Sequence, residues 1–160
     1  MVLIGIGQAG HNLIQEFGEH HKKISILAKD FPKKCKKVED YEEFCPSFTK
    51  RLKFAGDECW VAVCGAGKVA GCTLKALETI KNKKINIIYI YPDPNMITPM
   101  QAKRNYHSFN VIQQYTRSGL FSRMYLFSNE EIINVIGEQS IVSMYSMINK
   151  QIANAIETVE

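Results

Sequence analysis

The sequence predicts an α/β domain of three layers, a mostly parallel sheet with helices on both faces. Three observations carry this. Short apolar runs alternate along the chain with segments of helical spacing. The longest run, Ile85 to Tyr91, alternates little between apolar and polar residues, which suits a strand covered on both faces. Two of the runs end in glycine-rich bends that lead into helical pattern. With 160 residues there is room for one core, so a single domain over 1–160 is expected.

The first strand is Val2 to Ile6, ended by Gly5-x-Gly7-x-x-Gly10 and followed by helical spacing from His11 to Phe17. Ile24 to Ala28 makes the second strand, and Asp30 follows at about the distance at which a dinucleotide fingerprint places its ribose-binding acid. These residues alone leave open a nicotinamide site using Gly5, Gly7, Gly10 and Asp30, or another nucleotide site.

From Phe31 to Asp57 the pattern weakens, with one or two short helices expected and a break before Pro46. Trp60 to Val63 is a central strand, after which a helix with Leu74, Leu77 and Ile80 on its apolar face is predicted. Ile85 to Tyr91 is the next strand, and Pro92, Pro94 and Pro99 punctuate the loop behind it. A helix from Met100 to Ser118 ends at Gly119. Arg123 to Phe127 is the last strand, Ser128 caps a short helix closed by Gly137, and the final helix starts near Ser140. Its predicted apolar face is Ile141, Met144, Tyr145, Ile148, Ile152, Ala155, Ile156 and Val159.

The chemistry concentrates between Cys59 and Ile80. Gly65, Gly67 and Gly71 remove Cβ atoms where backbone could approach a ligand, and a helix opening behind them would aim free N–H groups at an anion, most often a phosphate. The same glycines serve equally in a plain strand-to-helix turn that needs close packing, and both readings stand at this point.

Composition excludes several classes. At 46% hydrophobic and 22% charged this is a folded protein, and no segment has the length and purity of a membrane span. No secretory leader is read at the start, so a cytoplasmic protein is expected. Five cysteines without a C-x-x-C pair read as reduced thiols, and neither they nor the four histidines have metal-ligand spacing. The net charge of +4 gathers at Lys33–Lys37 and Lys81–Lys84 without interleaved aromatics, which reads as solvated loop charge and predicts no nucleic-acid partner. No nucleophile and base are paired, so no catalytic residue is assigned, and Asp93 between two prolines reads as a turn residue rather than a metal ligand.

At four separated places the sequence resembles the nucleotide-binding half of the tubulin and FtsZ superfamily. Gly7-Gln8-Ala9-Gly10-His11-Asn12 is similar to the tubulin opening loop G-Q-C-G-N-Q, and Gly65-Ala66-Gly67-Lys68-Val69-Ala70-Gly71 lies where the signature G-G-G-T-G-[ST]-G would sit. Ser128-Asn129-Glu130-Glu131-Ile132 resembles the D-N-E-A-[IL] loop, and Tyr145 to Ile152 resembles Y-x-x-L-N-x-L-I of the core helix. Gln114 to Gly119, before a strand beginning at Arg123, is also similar.

The resemblance implies a Rossmann-like topology that binds GTP or GDP, with Mg2+ as its possible companion. It implies phosphates at Gly7, Gln8, Ala9, Gly10 and Asn12 and at Gly65, Ala66, Gly67, Lys68 and Gly71, ribose at Glu130, and the guanine edge at Asn149. Lys68, Ala66 and Val69 depart from the signature, the segment from Ala28 to Trp60 is shorter than the family's, and the second domain that completes hydrolysis in the family is not expected here. The function implied is guanine-nucleotide binding with weak or partner-dependent hydrolysis, and the partner is a protein or a second copy across the nucleotide face. The alternative implied is a structural or assembly module, in a phage setting within a host cytoplasm or virion, that keeps the fold without hydrolysis.

Overall fold

The computed structural model describes residues 1–137 and 140–160. Five strands, β1 (Val2–Ile6), β2 (Lys22–Ile26), β3 (Glu58–Cys64), β4 (Lys84–Tyr91) and β5 (Arg123–Ser128), form one sheet in the order β2-β1-β3-β4-β5, and every pairing is parallel. Apart from its first and last residues β4 is wholly buried, and β3 nearly so, which is why neither shows a polar alternation. The second strand lies two residues earlier than its apolar pattern suggests. Val2 pairs with Lys22, and the N–H of Lys22 bonds the carbonyl of Met1, so β1 sets the register. Beyond β2 the chain leaves the sheet as a 3-10 turn, Ala28–Asp30, in which Asp30 Oδ2 accepts the N–H of Leu27 at 2.8 Å.

Six helices cover the sheet among the described residues: α1 (Gly7–Gln15), α2 (Val38–Glu43), α3 (Thr73–Leu77), α4 (Pro99–Arg117), α5 (Asn129–Ile136) and α6 (Ile141–Val159). On one face Leu13 and Ile14 of α1, Phe17 just beyond it, and Ile148, Ile152 and Ile156 of α6 pack on Leu3, Trp60, Ile88 and Ile90. On the other, Tyr41 of α2, Leu77 of α3 and Ile112 of α4, with Phe48 and Leu52 from the loop, pack on Ile4, Val61, Ile87 and Tyr89. This is the predicted three-layer arrangement.

The helix predicted behind the second glycine bend is a correction. It is broken into a 3-10 turn (Val69–Cys72), five residues of α3 and a second 3-10 turn (Glu78–Ile80). Val69 and Gly71 in its first turn are both poor helix formers, and Thr73 Oγ1 bonds the Ala70 carbonyl at 2.7 Å instead of capping. Leu77 and Ile80 are buried as expected, while Leu74 is only half-buried.

Other ends follow the sequence closely. Thr98 and Gln101 cap α4 reciprocally, with Thr98 Oγ1 accepting the Gln101 N–H at 3.2 Å and Gln101 Oε1 accepting the Thr98 N–H at 2.9 Å. Gly119, at φ 90°, takes the left-handed position just beyond the helix. Ser128 accepts the Glu131 N–H to start α5. On α6 the buried stripe is Met144, Ile148, Ile152, Ala153 and Ile156. Tyr145 and Val159, predicted on that face, are 43% and 55% exposed although helical spacing keeps them on it. The Ile141 side chain lies outside the described residues.

Candidate nucleotide-binding site

Because β2 lies on one side of β1 and β3 to β5 lie on the other, the connections leaving β1 and β3 diverge, opening a crevice at their carboxyl ends. Both glycine turns border it. Ile6 pairs with Val63, so Gly7 and Gly65 emerge side by side. Gly7 has φ 76°, the left-handed conformation that turns the end of β1 straight into α1, and a Cβ there would lie 3.7 Å from Cβ of Val69 in the second turn. Gly10 is buried where a Cβ would fall on the Ala62 carbonyl, and a Cβ on Gly5 would lie 2.6 Å from the Gly10 carbonyl oxygen. Those glycines let α1 rest directly on β1 and β3. Gln8, Ala9 and Asn12 face solvent, and Gln8 Nε2 donates to Asn12 Oδ1 at 2.8 Å.

The second turn divides its glycines between two jobs. A Cβ on Gly65 would fall on the Tyr89 hydroxyl and lie 2.8 Å from Ser108 Cβ, and one on Gly71 would fall on the Val38 carbonyl. The close approach at these two positions is therefore made by protein. Gly67 and Lys68 are exposed, and the only neighbour of a Cβ on Gly67 would be the Cys64 carbonyl at 3.7 Å. Positive φ among the described residues is confined to Gly7, Gly56, Gly119 and Gly137, so Val69 keeps an ordinary backbone and spends its side chain in the core. The amides of Gly67 and Gly71 bond the carbonyls of Cys64 and Lys68 at 3.3 and 3.1 Å. The expected row of free N–H groups is thus partly used, and α3 is too short to add a developed dipole.

Three α4 and β4 side chains, none of them foreseen, clamp this turn. Tyr89 donates to Asn105 Oδ1 at 2.6 Å, Asn105 is itself buried, and Arg104 Nε donates to the Ala66 carbonyl at 3.0 Å. Burial pushes the Tyr89 hydroxyl and the Cys64 thiol upward, so both stay neutral beside the crevice.

Glu130 is exposed on the first turn of α5, at the far side of β4 from the glycine turns. Asn149 is half-buried on α6, one turn beyond Ser146, whose hydroxyl donates to Glu16 at 3.2 Å. Both α1 and α5 pack on α6, which brings these helices to one side of the crevice. Asn129, the first residue of α5, is 7% exposed, with a carboxamide oxygen that has no partner among the described residues. A buried orphan acceptor costs about 1 to 3 kcal/mol, which a ligand donor would recover. Asn129 follows a capping serine, and a polar residue there reads from sequence as an exposed helix start; its burial was not legible.

The acid of the nicotinamide reading is engaged elsewhere. Asp30 pairs with Arg51 at 2.9 Å besides accepting from Leu27. Burial raises its carboxyl, but the Leu27 N–H and the Arg51 guanidinium outweigh that and hold it below the usual range. Asp93 takes the expected turn role, accepting the Asn95 N–H at 3.0 Å. Two clefts lie on the opposite face, one of about 200 Å³ between α2, α3 and α4 and one of about 310 Å³ between α3 and the end of α4.

A doubly wound α/β domain with glycine turns at its strand-order reversal is the class this geometry defines, and comparison of the whole fold narrows it. The chain has a tubulin/FtsZ-like fold. It superposes on TubZ of Clostridium botulinum phage c-st with a TM-score of 0.71 and 19% identity, covering 98% of this chain and 57% of that one. It superposes on an empty FtsZ dimer from M. jannaschii with a TM-score of 0.73 and 16% identity, covering 99% of this chain and 53% of that one. The chain therefore spans about half the length of these structures. No family model matches the sequence, and no curated protein matches it.

Proposed function

We propose that this chain is a tubulin-like guanine-nucleotide-binding domain, with hydrolysis weak or dependent on a partner. The observation that carries the reading is the meeting of the Gly7 and Gly65–Lys68 turns at the strand-order reversal. In this reading the amides of Gly7 to Gly10, with Asn12 beside them, and the exposed Gly67–Lys68 corner receive the phosphates of GTP or GDP, with Mg2+ accompanying them. Ala66, held by Arg104, and the packed Gly65 and Gly71 shape that corner without touching ligand. Glu130 takes the ribose, and Asn149 with the unpartnered oxygen of Asn129 takes donors of the guanine edge. A protein, or a second copy, stacks over the same edge of the sheet, and we place the protein in the cytoplasm.

A second reading, a non-hydrolysing assembly module, is favoured by one observation: two of the three signature glycines are filled by protein contacts. One experiment separates the readings. The protein is purified without added nucleotide, its supernatant after denaturation is chromatographed, and labelled GTP is titrated. Guanine nucleotide bound at about one per chain and lost in Asn129→Ala or Asn149→Ala supports the first reading. An empty protein that ignores millimolar GTP overturns it in favour of the second.

A further inference from the structure

The sheet ends in two edge strands, β2 and β5, and the fold treats them differently. β2 carries Lys22 and Lys23, the Arg51 guanidinium donates to its Ser25 carbonyl, and Lys22 Nζ donates to the Lys53 carbonyl at 3.1 Å. Charge and the segment before β3 thus guard that edge. On β5 the main chain from Arg123 to Phe127 bonds no backbone group among the described residues outside β4. Its interior, Met124-Tyr125-Leu126-Phe127, has no charge and no proline, and Leu126 is 51% exposed. Met124 packs on the α4 side of the sheet and Tyr125 and Phe127 on the α6 side, so Leu126 stands uncovered on the α4 face. An open apolar edge of this kind is a template for another strand.

We propose that β5 pairs antiparallel with β5 of a second copy of this chain, across a two-fold axis at Leu126, joining the two sheets into one. An axis perpendicular to the sheet keeps each face on its own side, so residues meet others of the same face. With Leu126 opposite itself, Tyr125 meets Phe127 of the second copy and Met124 meets Ser128. Aromatic and apolar pairs directly opposite one another stabilise such a ladder. The exposed Arg123 then comes opposite the start of α5 in the second copy, where Glu130 and Glu131 are exposed as well.

The two ends of β5 are therefore complementary in charge under that axis, and this selects a second copy as the occupant. A shift of one residue would set opposite faces together, and an axis at Tyr125 would set Arg123 against Phe127, away from the acids. The contact needs no bound nucleotide.

Sedimentation velocity on the intact protein, run without nucleotide up to millimolar concentration, should show a monomer-dimer equilibrium. Leu126→Lys alters an already exposed side chain and sets like charges face to face on the axis, so it should raise the dimer Kd by about tenfold or more with circular dichroism unchanged. Directly opposite Cα atoms lie about 4.5 to 5.5 Å apart, within reach of a disulfide. Leu126→Cys should therefore oxidise to a dimer joined through position 126, and faster than Val159→Cys, a comparably exposed position at the end of α6. A chain that stays monomeric overturns the proposal. So does a dimer that Leu126→Lys leaves intact, or one in which position 126 cross-links no faster than position 159. The cross-link decides the question even where Leu126→Lys fails to fold.

Discussion

Gly65 and Gly67 stand two positions apart and answer to different neighbours. Gly65 is closed in by Tyr89 and Ser108, so Gly65→Ala should destabilise the fold by about 1 to 3 kcal/mol in urea unfolding, as overpacking does. Gly67 faces open space, so Gly67→Ala should leave the unfolding midpoint unchanged and weaken GTP binding only if phosphate sits at that corner. Asn129 has the opposite signature. Because its oxygen is already unpartnered, Asn129→Leu should not lower stability without ligand and should abolish guanine binding, read by titration of the refolded variant. The glycine positions themselves were legible in the sequence; which of them face protein was not, because Tyr89 and Val38 reach the bend from segments far away in the chain. Arg104 was illegible for the same reason, being one basic residue on a long polar helix until the fold sets it against Ala66.

Among the elements, the strands and most helices were read well, and the helix behind the second glycine bend was not. β4 announces itself by an apolar run that local pattern alone identifies, whereas β2 is displaced by its pairing with β1, and α3 starts late because Val69 and Gly71 before it are poor helix formers. The basic clusters read as loop charge are put to use locally: Lys34 lies 3.7 Å over the Phe44 ring, and Lys83 lies 4.4 Å over Phe54 while donating to the Gly56 carbonyl. The turn after β2 also gives the fold an acid dependence. The Asp30 carboxyl is lowered in the folded state, so its contribution is present above the ordinary carboxylate range and is lost as pH falls through its folded value. The stability difference between wild type and Asp30→Asn, measured by urea denaturation, should therefore be positive at neutral pH and shrink toward zero in acid.

At the scale of the molecule, one sheet serves two cores. Ile87 and Ile88 are adjacent and fully buried on opposite faces, so truncating either to Ala should cost about 2 to 5 kcal/mol. Both should unfold in a single transition, with Trp60 fluorescence and far-ultraviolet circular dichroism coincident. The three-layer class followed from sequence because strand burial and helical periodicity are local signals, while the burial of Asn129 depends on how α5 packs and could not be read ahead of the fold. The interlock of Gly5 with the Gly10 carbonyl, and of Gly10 with the Ala62 carbonyl, has a bearing on how such a chain can vary. Inserting or deleting one residue between them would carry a Cβ into a slot that accepts none, so the length of that turn is under as strict a constraint as its composition, and natural variation there should arrive as substitutions rather than as gaps.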